Sequence, residues 1–173
     1  YSIVDGMFVS RYVGANALSS INIVYPMISL LIGISVMLAT GGNAIVSRLL
    51  GEKKEREAKE GFTLIVVSAV IIGIIIAIIS LIFIKPVILF LGATDNLYDY
   101  CRNYLAINLL FTPFIILKLL FDYYYVTAGK SAFGLYISVL GGVINMVLDY
   151  IFIAVFKMGV SGAAAATVIG YTV

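Results

Sequence analysis

Histidine is absent from this 173-residue sequence, and cysteine occurs once, as Cys101. Without histidine, the chain by itself cannot form a serine–histidine or cysteine–histidine catalytic pair, and it cannot form an HExxH zinc site. With one cysteine it can form neither an intrachain disulfide nor a cysteine metal cluster. These absences exclude several hydrolase and zinc-enzyme chemistries.

Charge is also scarce. Charged residues make up 12% of the chain, about half the roughly 25% of a soluble domain. Hydrophobic residues make up 62%, and the mean hydropathy is +1.13. The net charge is only +2, and no basic stripe with interleaved aromatics occurs, so nucleic acid is not an expected partner. The composition predicts a multi-pass protein of the cell membrane, with the lipid bilayer as its surroundings.

Long uncharged runs divide the chain into spans, each of which needs about 20 mainly apolar residues. Four complete spans are predicted, at about 20–47, 61–84, 103–127 and 132–156. Residues 1–13 resemble the end of an earlier helix, and those from about 160 the start of a later one. We expect an all-α polytopic membrane protein with six helices, forming a single transmembrane domain over 1–173 that is a fragment of a longer chain.

Basic residues predict the orientation. The 48–60 connection carries five of them, and Lys130 lies on the same side. The opposite side carries Arg11, Lys85, Arg102 and Lys157. By the positive-inside rule, the side with the 48–60 connection is cytoplasmic. In this orientation, the 103–127 span places Tyr104 near its outer rim.

Two aspartates lie at matched depths in otherwise apolar segments. A helix rises about 1.5 Å per residue, so Asp5 lies about 9 Å from Arg11 and Asp149 about 12 Å from Lys157. A charged side chain near the bilayer centre costs at least about 2.5–3.5 kcal/mol, and such residues usually line an ion or substrate path. Both aspartates are therefore candidate site residues.

Four further polar residues fall in the same outer half of the membrane. Asn145 lies one helical turn from Asp149 on the same face. Thr167 lies about 10 Å into the last partial helix. Asn22 and Asn108 occupy the first turns of helices that enter from outside. Since polar side chains in lipid turn inward, we expect a shared polar cavity.

Two roles remain open for this cavity. Two carboxylates in a low-dielectric pocket disfavour double ionisation, so a proton or a cation neutralises them. Carboxylate, amide and hydroxyl oxygens suit Na⁺, by analogy with other hard cations, and they suit a proton relay equally well. Alternatively, these groups only hydrogen-bond the helices together, at about 0.6 kcal/mol per contact.

Other features predict structure. Pro26 and Pro113 lie inside spans, where each can kink the helix. The small residues of 159–167 allow close helix approach. Lys118 is spaced to pair with Asp122 or to extend towards the inner surface. The 61–84 span, almost wholly aliphatic, is expected to face lipid or to pack.

Several segments together resemble the multidrug and toxic compound extrusion (MATE) transporters. The opening Ile3–Gly14, followed by Ala17, Leu18 and Pro26, resembles the end of that family's first helix and its second helix. The segments Ala39–Gly42 and Leu50–Glu52 resemble its second-helix exit. Asn145–Asp149 and Gly159–Thr167 resemble its fifth helix and the entry to its sixth.

The resemblance implies most of the N-terminal six-helix lobe of a twelve-helix, two-lobe protein whose C-terminal lobe is absent from this chain. It also implies a coupling site for H⁺ or Na⁺, with no other cofactor. The residues implied for this site, including any Na⁺ ligation, are Asp5, Asn145, Asp149 and Thr167. Tyr104 corresponds to a tyrosine associated with that network.

The implied function is export of small organic, often cationic compounds across the plasma membrane in exchange for H⁺ or Na⁺. One alternative is a lipid or lipid-linked oligosaccharide flippase of the same superfamily, for which a more cationic central cavity is expected. Another is an intramembrane enzyme, such as an aspartyl protease using Asp5 and Asp149, or a noncatalytic assembly subunit.

Overall fold

The computed structural model describes residues 2–172, which form α-helices joined by short connections. The α-helices are α1 Ser2–Tyr12, α2 Ala15–Gly51, α3 Glu55–Ile82, α4 Ile84–Phe90, α5 Asp95–Leu110, α6 Thr112–Thr127, α7 Ser131–Asp149 and α8 Val160–Thr172. A π-helical segment, Tyr150–Val155, continues α7 and is called the π segment below. No strand occurs within the described range.

The membrane spans follow the predicted pattern. Among residues 2–172, three helical stretches are long and apolar enough to cross a membrane: α2, α3, and α7 with its π segment. A fourth span is formed if α5 and α6 are taken together. With the shorter helices α1 and α8 at the two ends, this gives the predicted all-α fold of four complete and two partial spans.

The third span differs from the continuous helix predicted over 103–127. It consists of α5 and α6, which are bent by 56° relative to each other around Phe111. Pro113, in the first turn of α6, lacks an amide hydrogen and disfavours helical geometry before it. The kink predicted at Pro113 is therefore present, whereas Pro26 lies inside a single helix, α2. Gly73 of α3 packs against the bend, where an added Cβ would lie 2.8 Å from the Pro113 Cα.

Helix α5 also begins at Asp95, earlier than the predicted span. The sequence suggested an irregular stretch there because Asp95, Asp99 and Arg102 interrupt the apolar run. In the structure these three side chains are exposed, while Cys101 and Leu105 are buried on the other side of the same helix. The stretch is thus a regular amphipathic continuation of the span.

Two packed clusters hold the helices together. The larger contains Val9, Leu31, Leu105, Ile153 and Ala163, and so joins α1, α2, α5, the π segment and α8. The smaller joins α2, α3 and α6. Helix α3 exposes many large aliphatic side chains in the described structure, in agreement with the predicted lipid-facing or packing role. They are Leu64, Val67, Ile71, Ile74, Ile75, Ile78, Ile79 and Ile82.

The connection between α2 and α3 is solvated, as its mixed charges predict. Glu52 bonds both Arg48 and Lys54 at distances of 2.9 and 3.0 Å. Hydrogen bonds from Lys54 and Arg48 lower the pKa of Glu52. Because all three side chains are well exposed, these ion pairs contribute little to stability.

Candidate functional site

Asp5 lies at the centre of a buried polar cluster, with only 3% of the residue exposed. The Asn145 amide donates a hydrogen bond to Asp5 Oδ1 at 3.3 Å. The Thr167 hydroxyl lies 2.7 Å from Asp5 Oδ2 and 2.9 Å from the Ala163 carbonyl. A hydroxyl has one proton, so Thr167 shares it between these two acceptors. The structure thus brings α1, α7 and α8 together through three of the predicted site residues.

Asp149, the fourth predicted site residue, is fully buried. Neither of its carboxylate oxygens has a hydrogen-bond partner among the described residues. Its carboxyl group interacts electrostatically with that of Asp5. Two ionised carboxylates have no proton to donate, so this pair can hydrogen-bond directly only when one of them is protonated.

Small residues bring α8 close to α7. Ala163, Ala164 and Ala166 are completely buried. An added Cβ on Gly162 would lie 3.1 Å from the Cβ of Phe152, in the π segment. The small residues of 159–167 therefore serve packing, as predicted. Their close approach carries Thr167 to Asp5.

A small cavity of about 30 Å³ opens beside Asp5 and Thr167. This is about the volume that one water molecule occupies in the liquid. Tyr104 and Asn108 line the cavity and are 6% and 2% exposed. The Asn108 amide donates to the Tyr104 backbone carbonyl at 2.9 Å, which fixes its orientation.

Two expectations about the cavity need correction. Tyr104 does not lie at the rim, because it lines the same cavity as Asp5 and is buried there. Asn22 does not line the cavity, since it lies on an exposed face of α2. Counting residues along a helix predicts depth only. The packing around Tyr104 and the rotation of α2 about its axis at Asn22 decide where these two side chains lie.

Tyr25 and Tyr171 also line the cavity, and sequence reasoning did not identify them. A usable signal existed for Tyr171, which follows Thr167 by four residues and so shares its helix face. Tyr25 precedes Pro26 in a long apolar helix, where no periodic pattern distinguishes its face.

The clustered oxygen atoms define the chemistry available. Asp5 and Asp149 supply carboxylates, Asn145 an amide carbonyl and Thr167 a hydroxyl. Such oxygen ligands suit a hard cation, and the same groups can hold a proton between two carboxylates. Within residues 2–172, no group of three or more histidine, cysteine, aspartate or glutamate side chains is placed to hold a metal ion. A cation here would therefore need the neutral oxygens as well.

Comparison with known proteins identifies related sequences. The MatE family model matches residues 1–151. The multidrug export protein MepA of Staphylococcus haemolyticus is 31% identical over 170 residues, which cover 98% of this chain and 37% of that protein. MepA of Staphylococcus aureus is 28% identical over 170 residues, covering 98% and 38%. The chain thus spans little more than a third of the length of these relatives.

Solved structures share the fold. A crystal structure of a MATE protein in a bent conformation matches with a TM-score of 0.92 at 25% identity, over 98% of this chain and 38% of that one. An inward-facing multidrug resistance MATE family transporter of the MOP superfamily matches with a TM-score of 0.93 at 25% identity, over 99% and 39%. The agreement extends over nearly all of the described helices.

These likenesses confirm the predicted family, the six-helix N-lobe fold and the multi-pass plasma-membrane location. MATE proteins are transporters, so the intramembrane enzyme considered from the two aspartates is excluded. On the match of the family model over residues 1–151, together with the shared fold, the chain belongs to the MatE family of membrane transporters.

Proposed function

We propose that this chain is the N-terminal lobe of a two-lobe exporter, which moves small organic, mainly cationic compounds out of the cell. Inward movement of H⁺ or Na⁺ through the cluster around Asp5 and Asp149 drives the export. The relatives named multidrug export proteins support drug export over lipid transport. The observation that carries the coupling role is a fully buried carboxylate, Asp149, without a hydrogen-bond donor.

This observation argues against a purely structural role for Asp149. A residue that joins helices by hydrogen bonds needs a partner, and Asp149 has no donor among the described residues when both aspartates are ionised. An unsatisfied buried polar group costs about 1–3 kcal/mol, and more when it is charged. A serine or asparagine in its place would avoid the charge. A carboxylate that binds a cation during the transport cycle accounts for this cost.

Asp5 and Asp149 have unequal roles in the proposed site. Asp5 is already held by Asn145 and Thr167, which donate hydrogen bonds to its two carboxylate oxygens and so position it. Asp149 faces this carboxylate without donors of its own. An arriving H⁺ or Na⁺ removes the repulsion between the two, so cation binding changes the balance of forces between α1 and α7.

Efflux by the complete protein tests this proposal. In proteoliposomes with an imposed H⁺ or Na⁺ gradient, Asp149→Asn should abolish gradient-driven export of an organic cation. Asp99→Asn makes the same substitution at an exposed site on α5 and should leave export unchanged. Applying the two gradients separately identifies the ion. Export by Asp149→Asn at the rate of the unmodified protein would remove the coupling role.

A further inference from the structure

The two hydrophobic clusters lie on opposite sides of a boundary that runs across the helices. The larger cluster includes Leu31 of α2 and Leu109 of α5, and Ile76 of α3 packs against it. The smaller cluster includes Ala39 of α2 and Ala69 of α3. Helices α2 and α3 therefore pass from one cluster into the other. We call the part around the larger cluster the outer body and the part around the smaller cluster the inner body.

The bend between α5 and α6 lies at the same boundary. Leu109, near the end of α5, belongs to the outer body, and Ile116, in the second turn of α6, belongs to the inner body. The 56° bend around Phe111 lies between these two residues. Each half of this span is thus packed into a different body.

Helix α7 also passes from one body to the other. In its first half, the Ser138 hydroxyl donates to Asp122 of α6 at 3.3 Å, which attaches α7 to the inner body. About two turns later, the Asn145 amide donates to Asp5 of α1, in the outer body. Residues 141–142, which are both glycine, lie between these two attachments.

Each crossing helix carries a feature that eases bending at the boundary. In α2, Gly33 and the buried Ser35 lie between the two clusters, and the Ser35 hydroxyl donates to the Leu31 carbonyl at 2.7 Å. Such back-bonding often bends a helix, and kinks occur at Gly/Ser pairs and at proline. Helix α3 has Gly73 there, in contact with Pro113 at the bend.

These features lie at similar depths. From the helix ends on the side of the α2–α3 connection, Ser35 is about 24 Å away, Gly73 about 27 Å, Pro113 about 21 Å and Gly141 about 15 Å, at 1.5 Å per residue. They form a transverse band, called the hinge band below. The lobe can bend at this band while each body stays packed.

The hinge band lies beside the cation cluster. Asn108 of α5 and Ile115 of α6 line the same small cavity as Asp5, and they lie on opposite sides of the bend. A change in the bend angle therefore changes the separation of Asn108 and Ile115, and with it the surroundings of Asp5. Helix α7 adds a second connection, because it carries Asp149 in the outer body and continues into the inner body.

We infer that the hinge band is a hinge within this lobe, and that cation binding at Asp5 and Asp149 changes the angle between the inner and outer bodies. The inference rests on the proposed function for the identity of the trigger. It goes beyond that function, since movement of one whole lobe against the other leaves every distance within this lobe unchanged.

Distances between pairs of spin labels, measured by double electron–electron resonance on the complete protein without other cysteines, test the hinge. Asn96→Cys with Ala128→Cys joins the far ends of α5 and α6, and so the two bodies. Asn96→Cys with Lys157→Cys lies within the outer body, and Lys53→Cys with Ala128→Cys lies at the end of the inner body. The four original residues are exposed.

The expected shift follows from the helix lengths. Helices α5 and α6 have 16 residues each and are therefore about 24 Å long. A change of about 20° in their bend, the angle above which a bend counts as a kink, moves their far ends by roughly 3–5 Å. Saturating Na⁺ or acid should produce this shift between Asn96→Cys and Ala128→Cys and leave both within-body distances unchanged.

Absence of a shift in the cross-body pair would overturn the inference, and so would equal shifts in the within-body pairs. Neither result depends on a further variant. Pro113→Ala restores the helical hydrogen bond that proline removes, so it should lengthen the cross-body distance without cation by roughly 3 Å and reduce the cation-dependent shift. Pro86→Ala, at an exposed position of α4, should change neither. A full shift in the Pro113→Ala protein would contradict a hinge at the bend.

The outcomes separate this inference from the proposed function. If the cross-body distance does not respond while cation uptake depends on Asp149, the hinge alone fails. If it responds equally in the Asp149→Asn protein, the hinge stands and the coupling role of Asp149 fails. A shift that is lost in Asp149→Asn and kept in Asp99→Asn supports both.

Discussion

At the scale of single residues, the two buried aspartates differ in how they are held. Asp5 accepts hydrogen bonds from Asn145 and Thr167, whereas Asp149 accepts none from the described residues. In the proposed site, this difference makes Asp5 the preorganised ligand and Asp149 the group that needs the cation. Substitutions around Asp5 should therefore tune cation binding, and substitution of Asp149 should abolish it.

Thr167→Val should distinguish Na⁺ from H⁺ coupling, because only Na⁺ needs the hydroxyl oxygen as a ligand. Valine matches threonine in shape but removes the hydroxyl that bonds Asp5. If Na⁺ is the ion, the loss of an oxygen ligand should weaken its binding by roughly tenfold. If H⁺ is the ion, no ligand is lost, and the half-maximal proton concentration should change by less than about twofold.

The measurement for Thr167→Val is the concentration of Na⁺ or H⁺ that gives half-maximal binding to the purified protein. Thr172→Val is a matched control, because Thr172 is exposed and its hydroxyl bonds only the Ile169 carbonyl among the contacts described. If the unmodified protein binds Na⁺ and the Thr167→Val protein binds it with unchanged affinity, the assigned role of this hydroxyl is contradicted.

At the scale of helices, glycines set how closely the site elements approach. Gly162 lies against Phe152 of the π segment, where an added Cβ would be 3.1 Å from the Phe152 Cβ and 3.2 Å from its carbonyl carbon. Gly162→Ala should therefore push α8 away, at a cost of about 1–3 kcal/mol in unfolding free energy. It should also weaken cation binding by moving Thr167 from Asp5.

Gly142→Ala is the control for Gly162→Ala. Gly142 lies in α7 and has no atom within 4 Å of an added Cβ, so alanine there should be neutral or stabilising by up to about 1 kcal/mol. Thermal unfolding in detergent and cation affinity are measured on both variants. Equal stability of the two would show that the α8 contact with the π segment is looser than described.

Gly73→Ala should affect the bend between α5 and α6. Its Cβ would lie 2.8 Å from the Pro113 Cα, a backbone atom that cannot rotate away. We expect α3 to separate from the bend. Overpacking of this kind lowers the free energy of unfolding by about 1–3 kcal/mol, so the unfolding temperature should fall. Gly33→Ala in α2 has open space around it and should leave the unfolding temperature unchanged or slightly raised.

The sequence predicts the spans well because hydrocarbon excludes charge, and the uncharged runs mark the helices directly. It predicts their rotation poorly, because a helix that is apolar on all sides has no periodic pattern. Asn22 and Asn108 were predicted at the same depth, yet one is exposed and the other is 2% exposed in the cavity. The hydrogen bond between Thr167 and Asp5 joins residues far apart in sequence. Their matched depths are consistent with this contact but do not predict which helix faces meet.

At the scale of the whole molecule, the orientation stays a prediction from the distribution of basic residues, and single cysteines can test it. Cys101 is the one cysteine of this sequence, so Cys101→Ser, with any cysteine in the rest of the complete protein also replaced, gives a background without thiols. In that background, Lys53→Cys should react with a membrane-impermeant maleimide only from the cytoplasmic side, and Asn96→Cys only from outside. Both original side chains are exposed. Labelling of Lys53→Cys in intact cells would reverse the orientation.

Direct cation binding by Asp149 tests the proposed coupling most directly. The complete, purified protein without substrate is titrated with ²²Na⁺ and, separately, with acid while proton uptake is recorded. The unmodified protein should take up Na⁺ or a proton that Asp149→Asn does not, while Asp99→Asn should match the unmodified protein. If the Asp149→Asn protein takes up as much Na⁺ and as many protons as the unmodified protein, the proposed coupling site is contradicted.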